Sequence, residues 1–245
     1  MSTQTIDFFT QIPNEYIRRD IKSDFNLSRK FYIIYILVER NSTKEGISKV
    51  SMNEILEACG LNSSRKREDI NNEIVSIIDH MVEMGFVQVL NDISKIKRCE
   101  PILFKLQKSL FYEISSYTYI TYKQFDNIIG YKGNIRIENL LSVFLYIRSY
   151  IGTRPNNITN NIYPMSFYKN SVNVASDLGM SHAKVLECLK ALTSGEYIQP
   201  IFRRELLFDN KTTAFPLYVY VLNEPGYERE IELTKKYLNK HNNEK

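Results

Sequence analysis

Cysteine and histidine are scarce in this chain, and neither is clustered. The three cysteines, Cys59, Cys99 and Cys188, lie far apart and form no CxxC pair. An odd count fits no complete disulfide framework, so a reducing, intracellular compartment is expected. The histidines are His80, His182 and His241, with no HxH or HExxH spacing. A tyrosine nucleophile for strand nicking normally needs a metal held by such clusters. No GxxxxGK[ST] loop and no GxSxG elbow occurs, and "GYKG" at 130–133 is too short to cradle phosphate and reads as a turn. No enzymatic activity, cofactor or metal is therefore expected. Long apolar runs are missing too: "FYIIYILV" falls well short of the ~20 residues that cross a bilayer. The start "MSTQTIDFFTQIPNEY" lacks a basic segment followed by an apolar core, so no signal peptide is read. A soluble, cytoplasmic protein with no membrane partner is the expectation. Neither charge sign dominates, since 32 Lys and Arg face 28 Asp and Glu for a net +4. That permits nucleic-acid binding, but local clustering decides it.

What the chain does have is apolar periodicity. Of its 245 residues, 43% are hydrophobic, enough for one large domain or two small ones. Leu27, Phe31, Ile34, Tyr35 and Val38 recur at helical spacing, with Asn26 or Ser28 placed to cap the helix. Leu140, Val143, Phe144, Ile147 and Ile151 repeat the pattern.

The repetition continues. "SMNEILEACGLNSS" follows the first helix and "NSVNVASDLGMSHA" the second. Aligning Gly60 with Gly179 pairs Ile55 with Val174, Leu56 with Ala175, Cys59 with Leu178 and Leu61 with Met180. Each segment predicts a short helix, a glycine turn and an apolar residue that packs the turn down. A further helix follows in each copy, with Ile70, Ile74, Ile77, Ile78 and Met81 on one face in the first, and Val185, Leu189 and Leu192 in the second. These helices close at Gly85 and Gly195, 110 residues apart, whereas Gly60 and Gly179 are 119 apart. Ser28 and Glu138, near the starts of the leading helices, are likewise 110 apart, and that common offset at both ends argues for two copies of one unit. The first carries extra residues around "NSSRKREDI". Each copy then predicts a strand pair: Phe86–Leu90 with Ile102–Leu106, and Tyr197–Phe202 with Phe215–Leu222. Pro200 and Pro216 place parts of the second pair at sheet edges. The boundaries read as a first domain over 1–112, a second over 113–222, opened by the strand-like "SYTYITYKQF", and a polar, partly helical tail over 223–245.

Helix, short helix, turn, helix and two-stranded hairpin is the order of a winged helix. The chain resembles a tandem winged-helix DNA-binding protein over roughly Ile12–Leu222. The segments "IPNEYI" and "NLSRKFYIIYILVER" are similar to replication initiators of Gram-positive plasmids and phages. The resemblance implies a mostly α fold with small β hairpins (α+β), made of two winged helix-turn-helix domains in tandem. It also implies binding of double-stranded DNA in replication initiation or transcriptional regulation, with a homodimer as a compatible assembly. In such modules the second helix of the turn enters the major groove and the hairpin touches backbone or minor groove.

Candidate DNA contacts follow. Ser63, Ser64, Arg65, Lys66 and Arg67 form a basic knot beside the first turn. Two readings stand. Either the knot begins the recognition helix, where phosphate would offset cations at the positive end of the helix dipole, or it is a loop and the helix starts at Glu68-Asp69. In the second copy Ser181, His182 and Lys184 hold the equivalent place, with Ser181 also suited to N-capping. The hairpin loops offer Lys95, Lys97 and Arg98, then Arg203, Arg204 and Lys211; such charges contact phosphate or merely protect sheet edges. Arg18, Arg19 and Lys22 precede the first helix and either flank the DNA backbone or merely complement Asp20 and Asp24, the second reading being favoured. The first copy is expected to be the stronger DNA reader. The 17 tyrosines read mainly as core. A rival from another class is a tandem winged-helix adaptor that binds a protein, as in chromosome segregation; it predicts a large exposed apolar patch.

Overall fold

The computed structural model describes residues 8–18, 28–61, 67–107, 117–151, 165–196, 198–208 and 217–242. It is an α+β chain of helices and small antiparallel sheets that divides into two compact units. The first comprises Met1–Tyr16 and Ile21–Ser142, the second Ile17–Asp20 and Val143–Lys245. No helix among the described residues is long and apolar enough to cross a membrane.

The first unit opens with β1 (Phe9–Pro13), α1 (Asn14–Ile17) and α2 (Lys30–Arg40). Helix α2 is apolar nearly all round, with Phe31, Tyr32, Ile33, Ile34, Tyr35, Ile36 and Val38 buried. A helix of that kind belongs at the centre of a core. Phe86 meets Phe31 and Tyr35 edge-on there, with ring centroids 5.0 and 5.5 Å away. Then come β2 (Ile47–Ser51), α3 (Met52–Ala58), α4 (Arg67–Glu83), β3 (Val87–Val89), a 3₁₀ turn at Ile93–Lys95 and β4 (Pro101–Leu106). Ser51 ends β2 and caps α3: its hydroxyl accepts from Glu54 N–H while the Glu54 carboxylate accepts from Ser51 N–H. The three strands form one sheet in the order β2-β4-β3, with Ser48 opposite Phe104 and Gln88 opposite Lys105.

Strand β5 (Tyr117–Thr121) runs straight into α5 (Tyr122–Ile129), whose N-cap is Thr121. β5 pairs with β1 in a separate two-stranded sheet, Gln11 opposite Tyr119. That pairing joins β5 and α5 to the first compact unit, so compactness changes hands at Ser142–Val143, inside α6 (Ile137–Tyr150). The sequence repeat changes copies earlier, at 112/113.

In the second unit α6 leads to α7 (Ser171–Leu178), α8 (His182–Ser194), β6 (Phe202–Phe208), β7 (Leu217–Leu222) and α9 (Tyr227–Asn242). Phe167 bridges to Tyr220 of β7, and β6 lies on the other edge of β7. The order Phe167-β7-β6 repeats β2-β4-β3. The expected strand Tyr197–Phe202 is displaced: β6 begins where that segment was to end. Pro200 has no N–H to give a ladder. Its ring instead lies over Gly195 so closely that an added Cβ there would stand 3.0 Å from Pro200 Cγ, tighter than ordinary van der Waals contact. The tail helix is less polar than its composition suggested, because Ile231 is buried with Val219 and Val221.

Both turn glycines adopt the left-handed conformation, φ +68° at Gly60 and +57° at Gly179. After each, an amide reaches back one turn: Leu61 N–H to Leu56 C=O at 2.8 Å and Met180 N–H to Ala175 C=O at 2.9 Å. That Schellman closure needs the αL geometry that glycine adopts without steric cost. The closing glycines match too, at +71° for Gly85 and +74° for Gly195.

Candidate nucleic-acid interface

In the first unit, α4 starts at Arg67, one residue before Glu68. Arg67 is thus helical in backbone, while Ser63, Ser64, Arg65 and Lys66 lie outside the described residues. Beyond its first turns α4 presents Asn72, Ser76, Asp79 and Glu83 to solvent. Their spacing puts them on one stripe opposite Ile74, Ile78 and Met81. The stripe is polar and ends acidic, which opposes phosphate at the helix C-terminus.

The hairpin loop of this unit is ordered by its own hydrogen bonds. Asn91 brackets it, donating to Pro101 C=O at 3.0 Å and accepting from Leu103 N–H at 2.8 Å. Asp92 accepts from Ser94 N–H at 3.0 Å and pairs with Lys95 at 2.8 Å. Those hydrogen bonds, Lys95 foremost, hold the exposed Asp92 carboxyl below its usual range. Lys95 remains 80% exposed and Lys97 is exposed as well. Arg98 differs: it is half-buried and donates to Asn71 on α4 at 2.6 Å. Its carbonyl accepts from Asn53 N–H at the start of α3, at 3.1 Å. Arg98 thus fastens the loop to both helices of the turn.

In the second unit Ser181 caps α8, its hydroxyl 3.4 Å from Lys184 N. His182 Nε2 lies 2.9 Å from Ser171 Oγ, which ties the start of α8 to the start of α7. Lys184 is exposed, and no ion pair engages it among the described residues. Arg203 and Arg204 occupy β6 opposite Val221 and Tyr220, near the base of the hairpin and not in its loop. β6 starts later than expected and runs on to Phe208, which takes both arginines into the strand. Both guanidinium groups lie over tyrosine rings: Arg204 is 3.6 Å from the Tyr218 centroid, and Arg203 is 5.2 Å from that of Tyr227. Arg203 also donates to Asn223 at 2.7 Å. Stacking of this kind leaves the edge N–H groups of arginine available to an anion. Lys211 lies outside the described residues.

Arg18 is a structural residue of the second unit. It donates to Ser149 Oγ at 3.1 Å and lies 4.2 Å from the Tyr150 ring centroid. Nearby Lys169 donates to Asp177 at 2.6 Å and to Tyr146 O–H at 2.8 Å. Burial alone would raise the Asp177 pKa, but the hydrogen bonds from Lys169 and Tyr146 outweigh it and hold the carboxyl below its ordinary range. Cys59 is inert by contrast, since burial pushes its thiol up to about 12.

No protein-family model and no curated protein matches this chain. Reasoning from sequence missed the supporting residues Asn71, Tyr218 and Tyr227, because each meets its arginine across a long stretch of chain. It also passed over Ala183, Leu186, Glu187 and Lys190, which are all exposed on α8. Their signal was present: they occupy the helical positions opposite Val185, Leu189 and Leu192.

Proposed function

We propose that this chain is a sequence-specific duplex-DNA-binding protein built of two winged-helix modules in tandem. In this reading it acts in replication initiation or transcriptional control on a bacterial plasmid, phage or similar element. The observation that carries the reading is the shared order of the two copies. Each runs helix, short helix, αL glycine, long helix and hairpin. Each places an earlier segment beside the second hairpin strand, β2 on β4 and Phe167 on β7. That is winged-helix order. In both, the chain carries cationic residues at the two places such a module offers to DNA: Arg67, by sequence position, and the exposed Lys184 at the start of the second turn helix, and Lys95 and Lys97, or Arg203 and Arg204, in the hairpin. A protein adaptor would need a large exposed apolar patch; among the described residues Phe8 and Phe9 adjoin at the start of β1, while Val82, Leu90, Val172, Leu186 and Leu206 lie on separate elements or loops. Two modules suit a long or repeated site, and a homodimer would extend it.

Binding to duplex DNA from the element that encodes the chain, measured by anisotropy across a salt series, tests the reading. A straight fall of log affinity with log salt is expected, at roughly −0.9 per phosphate neutralised. Salt-independent binding, or none to any such duplex, removes it. A footprint on origin repeats favours initiation, and one overlapping a promoter favours regulation.

A further inference from the structure

In the first unit a cleft of about 440 Å³ opens between the start of α2 and the C-terminal half of α4. The core residues Phe31 and Ile77 give it an apolar floor. Asp79, His80 and Glu83 stand around that floor, with the hydroxyls of Ser28 and Ser76. No lysine or arginine lines it among the described residues. Its fixed charges are therefore both negative, and they stand where the helix disfavours them. Glu83 ends α4, at the negative end of the helix dipole. Asp79 lies four residues before it, a spacing at which like charges repel. Asp79 makes no ion pair or hydrogen bond among the described residues, and Glu83 has His80 Nδ1 3.5 Å away. His80 Nε2 is buried with no hydrogen-bond partner among the described residues. Packing of the unit requires none of these three groups, and an unpaired buried nitrogen calls for an explanation.

Small-molecule sites join an apolar surface to a few convergent polar groups, in clefts of roughly 300–1,000 Å³. Here the carboxylates only accept hydrogen bonds, and an imidazole whose Nδ1 proton faces Glu83 has an acceptor at Nε2. The complement of such a lining is a donor-rich cation with an apolar body. We infer that the cleft binds a small organic cation, an ammonium, amidinium or guanidinium group at Asp79 and Glu83 whose apolar body lies on Phe31 and Ile77. The ligand supplies the positive charge that the end of α4 lacks, so binding stabilises the first unit. The site is independent of the DNA-binding reading: it uses the end of α4 farthest from Arg67, and its charge repels phosphate.

The test uses the full chain with isotope-labelled histidine, followed by NMR at fixed pH. His80, His182 and His241 are its three histidines, and His80→Gln identifies the His80 signals. Benzamidinium should move the His80 signals saturably and leave the other two in place. Benzamide, its uncharged isostere, should move none. Asp79→Asn and Glu83→Gln should each weaken benzamidinium about two- to fivefold, the range for an exposed ion pair. Asp79→Asn should also raise the urea midpoint of the free chain, because it removes a like-charge repulsion; a carboxylate kept for folding would lower it. Unmoved His80 signals overturn the inference, as does an equal response to benzamidinium and benzamide. A response to N-acetylargininamide without one to benzamidinium overturns it as well, and assigns the cleft to an arginine side chain of another protein. None of these outcomes depends on whether the chain binds DNA, so the two readings fail separately.

Discussion

Arg98 Nη2 donates to Asn71 Oδ1 at 2.6 Å, joining the hairpin loop of the first unit to the second turn of α4. With the Arg98 carbonyl on Asn53 N–H, one residue holds the loop against two helices. A residue expected to contact phosphate is therefore first a positioning residue. Its two roles separate by substitution. Arg98→Ala should cost about 1.5 kcal/mol, the range for a hydrogen bond to a charged group, read as a lower urea midpoint. Arg98→Lys keeps the charge but loses the planar fork, so it should recover DNA affinity more than stability. Equal recovery of both would remove the positioning role.

Gly60 combines a left-handed backbone with close packing. At φ +68° an added Cβ would stand 3.0 Å from Ile137 Cδ1. Gly60→Ala should therefore cost more than the ~1 kcal/mol of the backbone term alone. Gly60→Asn, which tolerates αL better, should cost less than Gly60→Ala in backbone strain yet still destabilise, because its Cβ meets Ile137 as well. Denaturant titrations of the pair decide this.

Those two positions show what was legible in the sequence. Turn glycines and helical faces depend on neighbours within a few residues, and Gly60, Gly179, Gly85 and Gly195 all take the conformations that their spacing implied. The coarse α+β class followed from the same periodicities. Pairings between distant segments were not legible. β1 finds β5 more than a hundred residues away, and alternation in "SYTYITYKQF" predicts a strand without naming its partner. The displaced start of β6 has a local cause, Pro200, but its consequence is register-wide: it moves Arg203 and Arg204 from loop to strand. At the candidate site the cations were legible as types. Their anchors, Asn71 for Arg98 and Tyr218 for Arg204, required the fold.

The Lys169–Asp177 pair predicts a pH dependence in the second unit. Asp177 titrates lower in the folded state than unfolded, so its contribution is complete above the unfolded value of about 3.9 and lost as pH falls further. Lys169 is raised despite burial that opposes its charge, chiefly by Asp177. Its contribution is complete below about 10.4 and lost as pH rises through the folded value. Asp177→Asn should lower stability at pH 7 by roughly 1–2 kcal/mol and flatten the acid limb between pH 4 and the folded value. Parallel melting curves at pH 3 and pH 7 check it; an unchanged acid limb would argue against the pair as its source.

Arg204 lies 3.6 Å from the Tyr218 centroid, across the diagonal of the β6–β7 ladder. Diagonal neighbours on one face are within reach of long and aromatic side chains, so the strand register itself sets this stack. Stacking and phosphate contact then make different predictions. Arg204→Ala should weaken DNA binding and make the salt slope shallower by ~0.9, one phosphate's worth. Tyr218→Leu keeps the cation and removes its platform. It should weaken binding less and leave the slope unchanged, because ordering is lost while charge is not. Arg204→Lys should resemble Tyr218→Leu, since lysine keeps the point charge without the planar fork. If all three variants keep wild-type affinity and slope, the stack protects the sheet and the hairpin base stays clear of DNA.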